Sequence, residues 1–140
     1  MSIRELFLVA SGGAVGSALR YTVSGVAQRW FVAGAASGAG SVASFPAGTL
    51  VVNVTGSLLI GLVAGLAESR SLLTAEARLL LVTGVLGGYT TFSAFSLETL
   101  LLLRAGQTTT ALTSVALQVV LGVAAAFAGL TVGMAAGRAA

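Results

Sequence analysis

Long apolar stretches dominate the pattern of this 140-residue chain. A helix of about 20 apolar residues crosses the hydrocarbon core of a bilayer, and four stretches reach that length. They run from about Glu5 to Gln28, from Ala47 to Ala67, from Leu79 to Leu103 and from Thr108 to Gly137. A linker rich in Gly, Ala and Ser, Gly34–Phe45, separates the first two. The pattern predicts one domain, an all-α integral membrane protein with four transmembrane helices.

The third stretch is interrupted by polar residues and glycines, in the string GGYTTFSAFSLE at 87–98. Each glycine lowers helix stability by about 1 kcal/mol relative to alanine, and β-branched threonine adds a smaller penalty. A broken helix within the membrane is tolerated only where it is buried or lines a polar cavity. We therefore expect a break near residues 87–91, whose freed carbonyls suit a cation. The same glycines could instead let a second helix approach closely, and the sequence leaves both readings open.

Two phenylalanines follow the interruption, Phe92 and Phe95, and their spacing puts them on one face of a resumed helix. Aromatic rings in membrane helices usually only pack against their surroundings. Here Ser93 and Ser96 lie beside them. Positive ring edges next to hydroxyl donors could hold a small anion without any fixed charge.

Other polar side chains lie inside the apolar stretches. Asn53, with Thr49 one turn before it, either joins two helices or donates to an anion. Arg20 is the only basic residue well inside a predicted span, where it either draws anions into a vestibule or extends to the membrane surface. Glu98 is expected to pair with Arg20 or to cap the broken helix.

Composition narrows the classes of function. The chain is 56% hydrophobic and 8% charged, and it contains no cysteine and no histidine. These absences exclude thiolate and imidazole metal sites and most pairs of nucleophile and base, so an enzyme is not expected. The basic residues are scattered and form no cluster, which argues against a nucleic-acid partner.

The arginines show only a weak bias between the two sides of the membrane. One side of the membrane would hold Arg4, Arg70, Arg78 and Arg138. The other side would hold Arg29 and Arg104, and Arg20 is undecided. Because the bias of Lys and Arg in short loops sets orientation, so weak a bias allows insertion both ways. Both orientations in one membrane would permit an antiparallel dimer.

Three motifs occur in a known order: GGAVGSALRY at 12–21, PAGTLVVNVTGSLLIG at 46–61 and GVLGGYTTFSAFSLE at 84–98. With them the chain resembles the Fluc (CrcB) family of bacterial fluoride channels over nearly its whole length. The resemblance implies a four-helix protein with a broken third helix that forms an antiparallel, dual-topology dimer in the bacterial plasma membrane. It also implies passive, fluoride-selective export that relieves fluoride toxicity.

The resemblance also implies roles for individual residues. The fluoride pathway would include Asn53, Phe92 and Phe95, with Thr49, Ser93 and Ser96 beside them, and Arg20 would lie in the vestibule. A sodium ion at the dimer centre would be held by the backbone carbonyls of Gly87 and Thr90. The fourth helix departs from the family's pattern of hydroxyl residues, because those positions fall on Gln118 and Gly122. Gln118 could still donate to an anion, whereas Gly122 has no side chain.

Alternatives from other classes remain at this point. A homodimer is expected, although a degenerate fourth helix would also suit one half of a heterodimer with a paralogue. A small multidrug exporter would need a carboxylate in mid-membrane, and only Glu98 could reach there. A subunit with no transport activity would not require Asn53 and the two phenylalanines together with a helix break.

Overall fold

The described residues form six α-helices and one π-helical stretch. The computed structural model describes residues 2–35, 45–70 and 74–139. In chain order the elements are α1 (Ile3–Ala35), α2 (Ala47–Arg70), α3 (Ala75–Arg78), a π-helix (Leu79–Leu86), α4 (Gly87–Tyr89), α5 (Phe92–Arg104) and α6 (Thr108–Ala139). None of the described residues belongs to a strand.

Within the described ranges, four helical spans are long and apolar enough to cross a membrane, which confirms the predicted all-α, four-span class. The third span, Ala75–Arg104, contains every element from α3 to α5. Residues 36–44 of the expected linker lie outside the described part of the chain.

The first helix continues to Ala35, beyond the end predicted near Gln28. Its later turns are tied to the start of α2 by the amide of Gln28. That side chain donates from Nε2 to the Phe45 carbonyl at 3.0 Å and accepts from the Gly48 N–H at 3.1 Å. Since the first N–H groups of a helix have no partner within the helix, Gln28 stabilises the beginning of α2.

The first helix packs on the third span through glycines on both sides. A Cβ on Gly12 would lie 2.6 Å from the Leu80 carbonyl oxygen, and a Cβ on Gly88 would lie 2.6 Å from that of Gly13. A Cβ on Gly84 would lie 3.0 Å from the Cα of Gly12. Backbones this close leave no room for a side chain, so Gly84 and Gly88 serve helix packing.

Helices α2 and α6 run in the same direction and keep one register along their contact. Asn53 contacts Gln118 across a separation of 65 residues. Gly61 meets Ala126 and Gly65 meets Leu130 at the same separation, in both cases by backbone contact. Ser57 likewise faces Gly122, with the serine Oγ 3.6 Å from the position of a Cβ on that glycine. One offset therefore pairs successive turns of the two helices.

Candidate functional site

The third span breaks at two threonines, as the fold prediction requires. Helix α4 ends at Tyr89, and the backbone is extended at Thr90 (φ −79°, ψ 157°) and Thr91 (φ −151°, ψ 117°) before α5 begins at Phe92. The Thr91 hydroxyl accepts from the Ala94 N–H at 3.1 Å and so caps α5. The break and the glycine packing thus occur together, at different residues of the same span.

The side chain of Asn53 on α2 hydrogen-bonds the backbone at the break. Its Oδ1 accepts from the Thr91 N–H at 2.9 Å, and its Nδ2 donates to the Thr91 carbonyl at 3.1 Å. The same Nδ2 donates to Oε1 of Gln118 at 2.7 Å. One amide therefore joins α2, the broken span and α6, which is the helix-joining arrangement that the sequence left open for Asn53.

Two backbone carbonyls at the break have lost their usual donors. In an α-helix each carbonyl accepts from the N–H four residues later. For Gly87 that donor is Thr91 N, which binds Asn53, and for Thr90 it is Ala94 N, which binds the Thr91 hydroxyl. These are the two residues whose carbonyls would hold a sodium ion according to the family resemblance. Freed carbonyl oxygens are ligands suited to a hard cation, so the break fits such an ion.

An open groove of about 360 Å³ lies between α2 and the third span and brings both kinds of candidate residue together. None of its lining residues is charged. They are Asn53, Gly56, Ser57, Ile60, Val82, Leu86, Gly87, Thr90, Thr91 and Phe92. The groove therefore presents amide, hydroxyl, carbonyl and aromatic groups without a fixed charge.

The two phenylalanines lie next to each other after the break. Their ring centroids are 5.5 Å apart and the rings are tilted by 55°. Phe92 is 78% exposed on this single chain and lines the groove, whereas Phe95 is half-buried. Of the serines beside them, Ser93 hydrogen-bonds Thr91 through its hydroxyl at 3.2 Å, while Ser96 donates to the Phe92 carbonyl at 2.9 Å.

Buried polar atoms continue along α6 on the side facing α2. Ser114 is 0% exposed and Gln118 is 9% exposed. The Oγ of Ser114 and the Nε2 of Gln118 have no hydrogen-bond partner among the described residues. Sequence reasoning had missed Ser114 and also Ser57. Ser114 is four residues before Gln118, and Ser57 is four residues after Asn53, so each serine lies on the same helix face as that amide. This spacing could have identified both serines.

Glu98 takes a different partner from the two expected. Thr49 donates to its Oε1 at 2.6 Å, while its buried Oε2 has no hydrogen-bond partner in the described part of the chain. The expectation that Glu98 would cap the broken helix or pair with Arg20 is wrong: Thr91 is the cap, and Thr49 holds the carboxylate. Arg20 is half-buried on α1. The polar residues of the second and third spans thus form two groups, one at the helix break and one made by Thr49 and Glu98.

The fold and the groove define a small four-span membrane protein with a polar, uncharged site at a break in its third span. Residues 7–130 match the family described as CrcB-like protein, Camphor Resistance (CrcB). The chain belongs to this family.

Several curated proteins are similar to the chain over most of its length. A protein of Rhizobium meliloti is 46% identical over 91% of this chain and 94% of its own length. A protein of Hyphomonas neptunium is 49% identical over 88% and 90%, and one of Maridesulfovibrio salexigens is 43% identical over 94% and 96%. All three are named fluoride-specific ion channel FluC.

Proposed function

We propose that this protein is a fluoride-selective channel that passively exports fluoride across the bacterial plasma membrane, and that it is not an enzyme. The relatives named as fluoride channels support this proposal. The observation that carries it is the groove at the break, where the exposed ring of Phe92 lies beside amide and hydroxyl groups with no charged side chain among the lining residues.

The chemistry of the groove suits a small, strongly hydrated anion. A channel must replace the water around such an ion, yet it must not hold the ion on a fixed cation. Conduction requires several binding sites, each weak enough to release the ion. Hydroxyl donors and the positive edges of phenyl rings supply contacts of that kind. Arg20 would act earlier, by raising the local concentration of anions at the entrance.

The proposed assembly is an antiparallel dimer with a structural sodium ion at its centre. One chain offers two freed carbonyls, those of Gly87 and Thr90, so a second copy across a twofold axis would double the number of oxygen ligands. When bound, the ion would supply a positive field beside the anion pathway. Two identical chains are the simpler assembly, and a paralogue with the same break could replace one of them.

Dual topology is tested by labelling a single cysteine, because the chain contains none of its own. Ala105, in the exposed turn between α5 and α6, is a suitable site for Ala105→Cys. We expect a membrane-impermeant maleimide to label about half of the protein in cells whose plasma membrane is intact and whose outer membrane has been permeabilised. Insertion in both orientations puts half of the α5–α6 turns on each side of the plasma membrane. Complete or absent labelling would exclude the antiparallel homodimer.

Fluoride transport is tested in liposomes loaded with fluoride, with an ionophore to balance charge. The wild-type protein should release fluoride and retain chloride, and Phe92→Ile should slow release by at least about tenfold, equivalent to about 1.4 kcal/mol. Phe7→Ile is the matched control, because Phe7 is similarly exposed but lies near the start of α1. If the wild-type protein releases no fluoride, the proposed function is wrong.

A further inference from the structure

Ser57 lies at the centre of the second membrane span and lines the groove at the break. The span runs from Ala47 to Glu68, so at 1.5 Å per residue the serine is about 15 Å from each end. So short a side chain cannot reach the membrane surface from that depth. Its hydroxyl therefore needs a polar partner in the protein or in the groove, because hydrocarbon offers none.

The hydroxyl of Ser57 differs from the other two hydroxyls that line the groove. Thr90 donates from Oγ1 to the Leu86 carbonyl at 3.0 Å, and the Thr91 hydroxyl accepts from the Ala94 N–H at 3.1 Å. The Ser57 hydroxyl forms no hydrogen bond with any residue that the structure describes. It is therefore the uncommitted hydroxyl among those that line the groove.

A serine within a helix has one acceptor close by, the carbonyl one turn before it. Thr55, two residues before Ser57, uses this kind of partner and donates to the Val51 carbonyl at 2.7 Å. Ser57 does not make the corresponding bond to the carbonyl of Asn53. Its donor thus remains free for a group that enters the groove.

The residue that faces this hydroxyl from α6 has no side chain. The Oγ of Ser57 lies 3.6 Å from the position that a Cβ on Gly122 would occupy, and no atom of this glycine fills that position. The groove also contains the exposed ring of Phe92. A small anion in the groove would therefore find a hydroxyl donor and a positive ring edge, with no fixed charge.

We propose that Ser57 binds fluoride in the pathway, as an uncharged hydroxyl donor at the centre of the membrane. It lies one turn after Asn53 on the same face of α2, so the two side chains would follow each other along the path of the ion. A single hydroxyl binds an anion weakly enough to release it, as conduction requires. This inference rests on the proposed function and adds a binding residue to it.

The test compares two serine variants by fluoride release from liposomes and by melting temperature. Ser57→Ala should slow release by about fivefold or more, because it removes a donor to a charged ion. It should keep or raise the melting temperature, since the hydroxyl has no partner among the described residues to lose. Ser11→Ala is the matched control. The Ser11 hydroxyl donates to the Leu8 carbonyl at 3.1 Å on α1, away from the groove, so release should match that of the wild-type protein.

A second experiment moves the hydroxyl to the facing helix. In the Ser57→Ala background, Gly122→Ser adds a hydroxyl on a Cβ that lies 3.6 Å from the former position of the Ser57 Oγ. Release should then recover in part. Gly122→Ala in the same background adds the Cβ alone and should leave release slow. A role of Ser57 in packing predicts no difference between these two double variants.

Failure of the inference can be distinguished from failure of the proposed function. A wild-type protein that releases no fluoride contradicts the proposed function. Wild-type release from Ser57→Ala contradicts the inference alone. A Ser57→Ala protein that melts at a lower temperature or does not fold also contradicts it, because the hydroxyl would then serve packing. Equal release from the two double variants contradicts the placement of the donor beside Gly122.

Discussion

The contact between α2 and α6 has two halves with opposite chemistry, although one register runs through both. In the first, which we name the polar half, Asn53 lies against Gln118 and Ser57 faces Gly122. The same offset puts Thr49 level with Ser114. In the second, the glycine half, Gly61 meets Ala126 and Gly65 meets Leu130 by backbone contact, and Gly129 and Gly133 approach α2 in the same way.

Under the proposed function, this difference separates stability from ion binding along one pair of helices. In lipid, helices associate by close packing and by hydrogen bonds between them, since the surrounding tails are as apolar as the side chains. The glycine half supplies the close packing. The polar half contains buried polar atoms with no hydrogen-bond partner in the described part of the chain, such as Gln118 Nε2, at a cost of about 1–3 kcal/mol each. Such a cost is tolerated where a ligand uses the group.

The largest effect is expected in the glycine half. A Cβ on Gly129 would lie 2.8 Å from the Leu62 N, a backbone atom that can move only if the helices separate. Gly129→Ala should therefore destabilise the protein by at least about 2 kcal/mol, despite the better helix propensity of alanine. Thermal unfolding followed by size-exclusion chromatography measures this.

The control for Gly129→Ala is Gly25→Ala on α1, where an added Cβ would meet no atom within 4 Å. This variant should keep the wild-type melting temperature or exceed it. Equal stability of the two variants would show that α2 and α6 do not depend on the close contact.

Thr49 should give the next largest effect. Its hydroxyl donates to Oε1 of Glu98 at 2.6 Å, and Thr49→Val would remove this donor. Both carboxyl oxygens of Glu98 would then lack a hydrogen-bond partner among the described residues. We expect a loss of about 1–2 kcal/mol in unfolding free energy, the cost of leaving a buried polar group unpaired. Thr49→Ser keeps the hydroxyl and is the matched control. If both variants are equally unstable, the lost methyl packing and the lost hydrogen bond contribute alike.

The spans and the break were predictable because their signals are local. Four apolar stretches give four spans, and the glycines and threonines of GGYTT mark where the third one stops. The local sequence could not show which residues of the third span pack against another helix and which form the break. Gly84 and Gly88 contact α1, whereas Thr90 and Thr91 form the break, and this depends on which face of the span meets the neighbouring helix.

The sequence motifs named candidate residues but did not indicate which hydrogen bonds those residues form. The candidates Asn53, Phe92, Gly87 and Thr90 all line one groove in the structure. The partners of Asn53 could not be read from spacing, because they lie 38 and 65 residues away on other helices. The partner of Glu98 was mispredicted for the same reason, since opposite charge suggested Arg20 and the packing instead supplies Thr49.

Ser114 should behave in the opposite way to Gly129. Its hydroxyl is fully buried without a partner among the described residues, so removing it relieves an unpaired polar group. Ser114→Ala should raise the unfolding free energy by up to about 1 kcal/mol. If the hydroxyl contacts the anion, the same variant should slow fluoride release severalfold. A stable variant with unchanged release would remove Ser114 from the pathway.

Gly122 should give the smallest effect, and it marks where the polar half ends. A Cβ there would lie 3.6 Å from the Ser57 Oγ, which is an ordinary contact, whereas the same addition at Gly129 on the same helix meets backbone. Gly122→Ala should therefore change the unfolding free energy by less than about 1 kcal/mol. The pair of glycine variants isolates backbone proximity from helix propensity, because both replace glycine by alanine in the interior of α6. If Gly122→Ala is as destabilising as Gly129→Ala, the two halves share one kind of packing, and the separation of stability from ion binding along this contact is wrong.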